Sequence, residues 1–165
     1  MSYESIQTLM NYLKLGYTSS RILEMIEDAT KRKSSYLDFF ENVLNTEYQA
    51  REESRIATSL KISGLPRGMH LENFDFLFQP SVDKAKIDML TTCEFIDKHE
   101  NVLIFGPPGV GKSHLAVALG VKAVQFAYSV IYYSLEELIM QLKKRCDIPV
   151  FKQRGRAYVK NSLVV

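Results

Sequence analysis

The sequence predicts an α/β fold with a parallel sheet, preceded by a small all-helical domain. Three observations carry this. The first third of the chain repeats apolar residues at helical spacing. The last third alternates short apolar runs with helical stretches. A breaker cluster, "SGLPRG", separates the two.

In the first third, Ile6, Leu9, Met10 and Leu13 follow i, i+3, i+4, i+7, and Gly16 stands where a C-terminal cap belongs. "YTSS" can cap a second helix, whose apolar face is Ile22, Leu23, Met25, Ile26 and Ala29. "KRKSS" interrupts the pattern. Ser35 with Asp38 has the form of a capping box ahead of a longer helix carrying Leu37, Phe40, Leu44 and Tyr48 on one side. The domain boundary is placed at residues 63–68, giving a helical domain over 1–68 and a second domain over 69–165.

Beyond the boundary, "LENFDFLFQP" reads as an aromatic-rich connector, and the stretch 83–98 suits a helix with Ile87, Leu90 and Phe95 buried. "NVLIF" is a short apolar run of the kind found in buried parallel strands. The stretch after Lys112 is helical and apolar on most sides, as in a helix packed between two layers. "SVIYY" reads as a second strand. Ser134 with Glu137 forms another capping box before Leu135, Leu138, Ile139 and Leu142, and "NSLVV" starts a third strand. Strand, helix, strand, helix, strand is the grammar of a parallel sheet.

Bulk composition narrows the class. With 46% hydrophobic and 24% charged residues the chain is globular, and a net charge of +2 does not by itself announce a nucleic-acid binder. Cys93 and Cys146 have no metal-ligand spacing, which suits reduced thiols in a cytoplasm. No apolar run approaches the roughly 20 residues of a membrane span, and the N-terminal stretch has no secretory pattern. The expected location is cytoplasmic.

Gly106, Gly111, Lys112 and Ser113 fit G-x-x-x-x-G-K-[ST], after an apolar run and before a helix. Glycines allow the tight turns that gather backbone N–H groups around an anion, and the helix start adds its dipole. In such a loop Lys112 reaches the β- and γ-phosphates and Ser113 places its hydroxyl on Mg²⁺. Pro107 and Pro108 stiffen the turn. The loop predicts a P-loop NTPase and binding of a nucleoside triphosphate.

"YLDFFENVLNTEYQAREESRIATSLKISGLP", "LENFDF", "ENVLIFGPPGVGKSHLAVALG" and "YSVIYYSLEELIMQLKK" occur in that order. The ordered set resembles the IstB-type ATP-binding proteins, helper ATPases of insertion-sequence transposition and relatives of DnaC-like helicase loaders. The resemblance implies an AAA+ type of P-loop NTPase behind a helical N-terminal domain, with ATP and Mg²⁺ as ligands. It also implies DNA and a transposase as partners, and a homo-oligomer in a complete chain. Gly106, Pro107, Pro108, Gly109, Val110, Gly111, Lys112 and Ser113 would form the phosphate site, with His114 directly behind it. Asn73, Phe74 and Phe76 would lie near the adenine side; an aromatic plug closing the base of the sheet is the other reading of them.

The family pattern continues after "LVV" into the acidic pair that holds Mg²⁺ and activates water, then to a polar sensor and an arginine finger. None of these is among the 165 residues. With the family's strand order of five-one-four-three-two, "VLIF" would lack both neighbours. The expectation is therefore an incomplete parallel sheet in a truncated chain that binds nucleotide and hydrolyses it poorly or not at all.

Basic residues fall in groups. Lys143, Lys144, Arg145, Lys152, Arg154 and Arg156 form a stripe suited to DNA phosphates, or to a solvated surface. Lys31, Arg32 and Lys33 lie between helices, while Arg51 and Arg55 are flanked by Glu47, Glu52 and Glu53, which favours local ion pairs. The first two helices can be read as helix-turn-helix or as part of a plain bundle. His70, His99 and His114 are too scattered in sequence to suggest a metal site. The leading function is an ATP-dependent transposition helper. A helicase loader and a non-catalytic DNA- or partner-binding remnant are the alternatives. A small-molecule kinase fits less well, because about a hundred residues precede the loop.

Overall fold

The computed structural model describes residues 3–146 and 162–165, with side chains described for 3–140 and 162–165. The chain divides into two compact units, Met1–Arg55 and Ile56–Val165. The division falls inside a helix, upstream of the breaker cluster at which the sequence places a boundary.

The first unit contains α1 (Tyr3–Tyr12), α2 (Gly16–Arg32) and the first part of α3 (Tyr36–Ser63). Met10, Ile22 and Val43 form its core, with Leu15, Met25 and Phe39 packed around them. Gly16 is not the cap of α1. Lys14 takes the left-handed conformation instead, at φ 59°. Its N–H donates to the Asn11 carbonyl at 3.0 Å, and the Leu15 N–H donates to Met10 at 2.8 Å. This is a Schellman turn, which is commonly accompanied by an apolar residue just beyond the left-handed position. Leu15 supplies it, and Gly16 opens α2. "YTSS" consequently lies within α2 rather than capping it.

The packed side of α3 also differs from the expected one. Leu37, Phe40, Leu44 and Tyr48 are exposed, while Val43 and Glu47 are buried. The apolar residues of α3 nearly encircle it, so their spacing alone does not select a face. A polar contact does: Glu47 Oε2 accepts from the Thr18 N–H at 3.0 Å and the Thr18 hydroxyl at 3.1 Å. Arg51 Nε donates to the other Glu47 oxygen at 2.9 Å. Burial pushes the Glu47 carboxyl up, but the bonds from Thr18 and Arg51 outweigh it and hold it below its ordinary value near 4.5. The Ser35–Asp38 capping box that opens α3 is formed in both directions, with Ser35 Oγ donating to Asp38 at 2.7 Å and the Asp38 N–H donating back at 3.1 Å.

In the second unit α3 ends at Ser63, and Gly64 turns the chain at φ 73° so that Leu65 enters the core. The stretch expected as one helix over 83–98 is two, α4 (Lys84–Leu90) and α5 (Glu94–Asp97). The break is at Cys93, left-handed at φ 62° and fully buried. That kink lets Cys93, Phe95 and Ile96 all join one core with Val117, Val121 and Val124. Burial raises the Cys93 thiol, and Asp97 adds to the effect.

Helix α6 (Lys112–Gln125) is the centre of this unit, with eight buried residues from Leu115 to Val124. Over it lies a parallel pair, β1 (Val130–Ile131) and β2 (Leu163–Val164), in the register Val130–Leu163 and Ile131–Val164. These are the cores of the second and third expected strands. The expected first strand, residues 101–105, is not formed. Leu103 and Phe105 are 75% and 85% exposed. A parallel strand needs a ladder on its edges, and among the described residues no strand flanks this run. Ser134 and Glu137 cap α7 (Leu135–Cys146) reciprocally, at 2.8 and 3.2 Å. No helix among the described residues is long and apolar enough to cross a membrane.

Replacing Glu47 by Ala leaves the buried Thr18 N–H without its acceptor, while the Thr18 hydroxyl keeps the Val43 carbonyl at 3.3 Å, and should cost about 2 kcal/mol of the first unit's stability. Because the folded Glu47 carboxyl titrates below its ordinary value, its contribution is complete at neutral pH and is lost as pH falls through the folded value. Melting midpoints of the native chain and Glu47→Gln should therefore differ at neutral pH and converge in acid. A gap that is constant across that range would contradict this account.

Candidate nucleotide-binding site

The site is built on the start of α6. Residues 106–111 form an irregular loop, and Gly109 and Gly111 take positive φ of 83° and 82°. Gly111 is the residue before the helix, and its carbonyl accepts the first helical bond from the Leu115 N–H at 3.0 Å. The N–H groups of the first turn have no acceptor within the helix, so they present partial positive charge at the head of α6. Lys112 Nζ donates to the Pro107 carbonyl at 2.7 Å, which carries the ammonium back across the loop. Ser113, Pro107 and Pro108 are exposed, while Val110 and His114 are half-buried. A multiply charged oxyanion is the ligand such a surface accepts.

A second segment is strapped to the same helix. His114 Nε2 lies 2.8 Å from the His70 carbonyl oxygen. Lys122 Nζ pairs with Glu72 at 2.9 Å. The Glu72 backbone N–H, followed by Lys122, holds the Glu72 carboxyl below the usual range. Asn73 Nδ2 donates to the Gly68 carbonyl at 3.1 Å. Phe74 meets His114 edge-on at 5.5 Å between ring centroids and Phe76 at 4.9 Å, and Lys84 Nζ stands 5.7 Å from the Phe76 ring centre. A methyl group placed on Gly111 would lie 2.6 Å from Phe74 Cε2, closer than any side chain tolerates.

The structure thus brings Phe74 and His114 to the loop, and Phe76 behind Phe74, while the Asn73 amide is turned to the chain just upstream. Glu72 and Lys122 were missed by sequence reasoning. The available signal was Lys122 itself, a cation within the apolar stretch of α6, which requires an anionic partner or an open path to water.

A cleft of about 650 Å³ runs from Lys112 and Ser113 past Val102, Ile104, Leu119 and Leu163. His99, Glu100, Asn101 and Ser162 share its lining with the apolar residues. The N–H groups suited to an anion stand at the loop, which is therefore the candidate phosphate site. Among the described residues no group of three or more His, Cys, Asp or Glu side chains is arranged to hold a metal ion.

The basic candidates divide. Lys31 pairs with Glu27 at 4.0 Å, Arg32 with Asp28 at 3.9 Å, Arg51 with Glu47 at 2.9 Å and Arg55 with Glu52 at 2.5 Å. Arg51 also donates to the Lys14 carbonyl. Lys143, Lys144 and Arg145 lie on α7, but their side chains are outside the described residues, as are Lys152, Arg154 and Arg156 altogether.

Residues 8–165 match the family described as IstB-like ATP binding protein. The chain belongs to this family. Membership implies the P-loop NTPase fold, with which the loop, helix α6 and the small parallel sheet agree. The IstB-like chain is 38% identical over 139 residues to a Pseudomonas aeruginosa protein whose name assigns it to insertion sequence IS21 and to ATP binding. It is 33% identical over 162 residues to the corresponding protein of IS5376 from Geobacillus stearothermophilus, and 28% over 164 residues to that of IS232 from Bacillus thuringiensis. These alignments cover 84%, 98% and 99% of the chain but 52%, 64% and 66% of the relatives. The IstB-like chain thus spans about half to two thirds of their length.

Gly109 and Gly111 share one backbone conformation and differ in surroundings, since nothing lies within 4 Å of a methyl group placed on Gly109. Gly109→Ala should cost only the left-handed backbone strain of about 1–2 kcal/mol. Gly111→Ala should cost more, and the excess should vanish in a Phe74→Ala background. Chemical denaturation of the native chain and of the four variants (Gly109→Ala, Gly111→Ala, Phe74→Ala and the Phe74→Ala/Gly111→Ala pair) without nucleotide checks this; equal costs for the two glycines would refute it.

Proposed function

We propose that this chain is an ATP-binding helper protein of DNA transposition, which binds Mg·ATP through residues 106–113 and acts on DNA with a transposase in the cytoplasm. The observation that carries the reading is the loop at the head of α6, with Lys112 drawn across it to Pro107. Family membership and the insertion-sequence names of the relatives support the choice of ATP and of transposition.

In this reading each residue has a role. The free N–H groups of the loop and first turn take the phosphates, and Lys112 exchanges the Pro107 carbonyl for β- and γ-phosphate oxygens. Ser113, exposed at the helix start, is the residue of this chain that would hold Mg²⁺. A nucleotide-borne Mg²⁺ keeps most of its water and phosphate ligands, so a single protein hydroxyl fits it. The segment 70–76 lies on the adenine side, with Asn73, Phe74, Phe76 and His114 beside the ligand. The assigned activity is binding. Turnover needs a metal-holding carboxylate and a water-positioning group, and no residue of this sequence is assigned either role. A homo-oligomer on DNA, as in an AAA+ assembly, belongs to the same reading.

Two measurements test it. Mg·ATP at about 100 times its dissociation constant should stabilise the second unit by about 2.7 kcal/mol, visible as a raised melting midpoint. Lys112→Ala should remove that rise without abolishing the transition. An ATP-insensitive transition in the native chain would sink the proposal. For DNA, neutralising phosphates with Lys143, Lys144, Arg145, Lys152, Arg154 and Arg156 should make affinity fall by about 10³-fold between about 50 and 200 mM salt. Replacing Lys152, Arg154 and Arg156 by Ala should flatten that slope; an unchanged slope would place the DNA contacts elsewhere.

A further inference from the structure

We propose that Phe74 is a positioning residue for the phosphate loop: its ring wedges against Gly111 and holds the loop in its anion-binding shape, rather than stacking on the base. The inference rests on the ATP reading above and assigns within it a residue that acts through the loop.

Three observations combine. The Phe74 ring occupies the space that any side chain at position 111 would need. Its edge stands 2.6 Å from where a methyl group on Gly111 would lie, with a second ring carbon at 3.3 Å. Gly111 is where the loop becomes helix, so its φ of 82° sets the direction of the N–H groups on both sides of it. Phe74 is itself fixed from α6, because the segment carrying it is tied to that helix by His70–His114 at 2.8 Å and Glu72–Lys122 at 2.9 Å. Loop, helix head and strap are one mechanical piece.

A glycine-rich loop loses conformational freedom when it closes on phosphate. A side chain that already excludes alternative positions of Gly111 removes part of that cost, and apparent affinity rises with the fraction of loops in the competent shape. The ring is also engaged edge-on by both Phe76 and His114. Those contacts hold it against the protein with no ligand needed to position it.

The sequence contains no tryptophan, so Phe74→Trp introduces a single tryptophan at the wedge, which can be excited apart from the nine tyrosines. Mg·ATP and Mg·pyrophosphate should both change its emission, and adenosine should not. A response to adenosine and ATP with none to pyrophosphate would overturn the proposal in favour of base stacking. Silence toward all three, while filter retention of labelled ATP shows binding, would overturn it as well. No retention of labelled ATP by the native chain would instead bring down the ATP reading, and this inference with it. Where the tryptophan variant lacks a cooperative melting transition, two smaller changes carry the test. Phe74→Leu keeps bulk against Gly111 and should leave pyrophosphate affinity within about threefold, whereas Phe74→Ala should weaken it about tenfold, as when one loop in ten is competent. Equal pyrophosphate affinity in the two variants would refute the wedge.

Discussion

The burial of α6 is the constraint on which the second unit depends. A helix carrying Leu115, Val117, Ala118, Leu119, Val121, Ala123 and Val124 as buried residues has little surface left for water. Partners are therefore needed on several sides at once. Leu65 supplies one, Cys93, Phe95 and Ile96 another, and β1 a third through Val130. At Gly120 the fit is tight enough that an added methyl group would stand 3.0 Å from Leu65 and 3.1 Å from Val165. Such packing immobilises the helix axis, and with it the direction in which the free N–H groups at its head point. The loop at the head of α6 is thus aimed by hydrophobic packing some way from it.

Charge completes what packing begins. Lys122 is the cation that α6 cannot bury, and Glu72 gives it a partner on the helix surface. The same ion pair draws the strap over the helix and brings Phe74 to Gly111. Three kinds of interaction act on the site in sequence: apolar burial fixes the helix, an ion pair fixes the strap, and an aromatic contact fixes the glycine.

What the sequence revealed and what it hid divide by range. Both capping boxes, Ser35 with Asp38 and Ser134 with Glu137, were legible because each needs only residues three apart. The loop at residues 106–113 was legible as a turn leading into a helix because its pattern is written in eight consecutive positions. The run at residues 101–105 was half legible: its apolar composition suggested a strand, the expected strand order already left it without neighbours, and without a ladder it stays irregular. The packed side of α3 was hidden for a related reason. Leu37, Phe40 and Leu44 form as regular a stripe as Phe39 and Val43, and the choice was made by Thr18, distant in sequence, binding Glu47. Gly16 misled because a left-handed cap is usually glycine, whereas here the apolar Leu15 set the turn and Lys14 accepted the strain. At the site itself, the loop residues could be read directly, but the contact of Phe74 with Gly111 joins positions too far apart for any spacing rule.

The kink at Cys93 has a consequence for how this protein can be followed in solution. Its sulfur is wholly enclosed, and burial further suppresses the reactive thiolate. A thiol reagent therefore reaches Cys93 only when the core around α5 and α6 comes apart. With Cys146 replaced, the rate of modification becomes a clock for that opening, wound by the same packing that aims the loop.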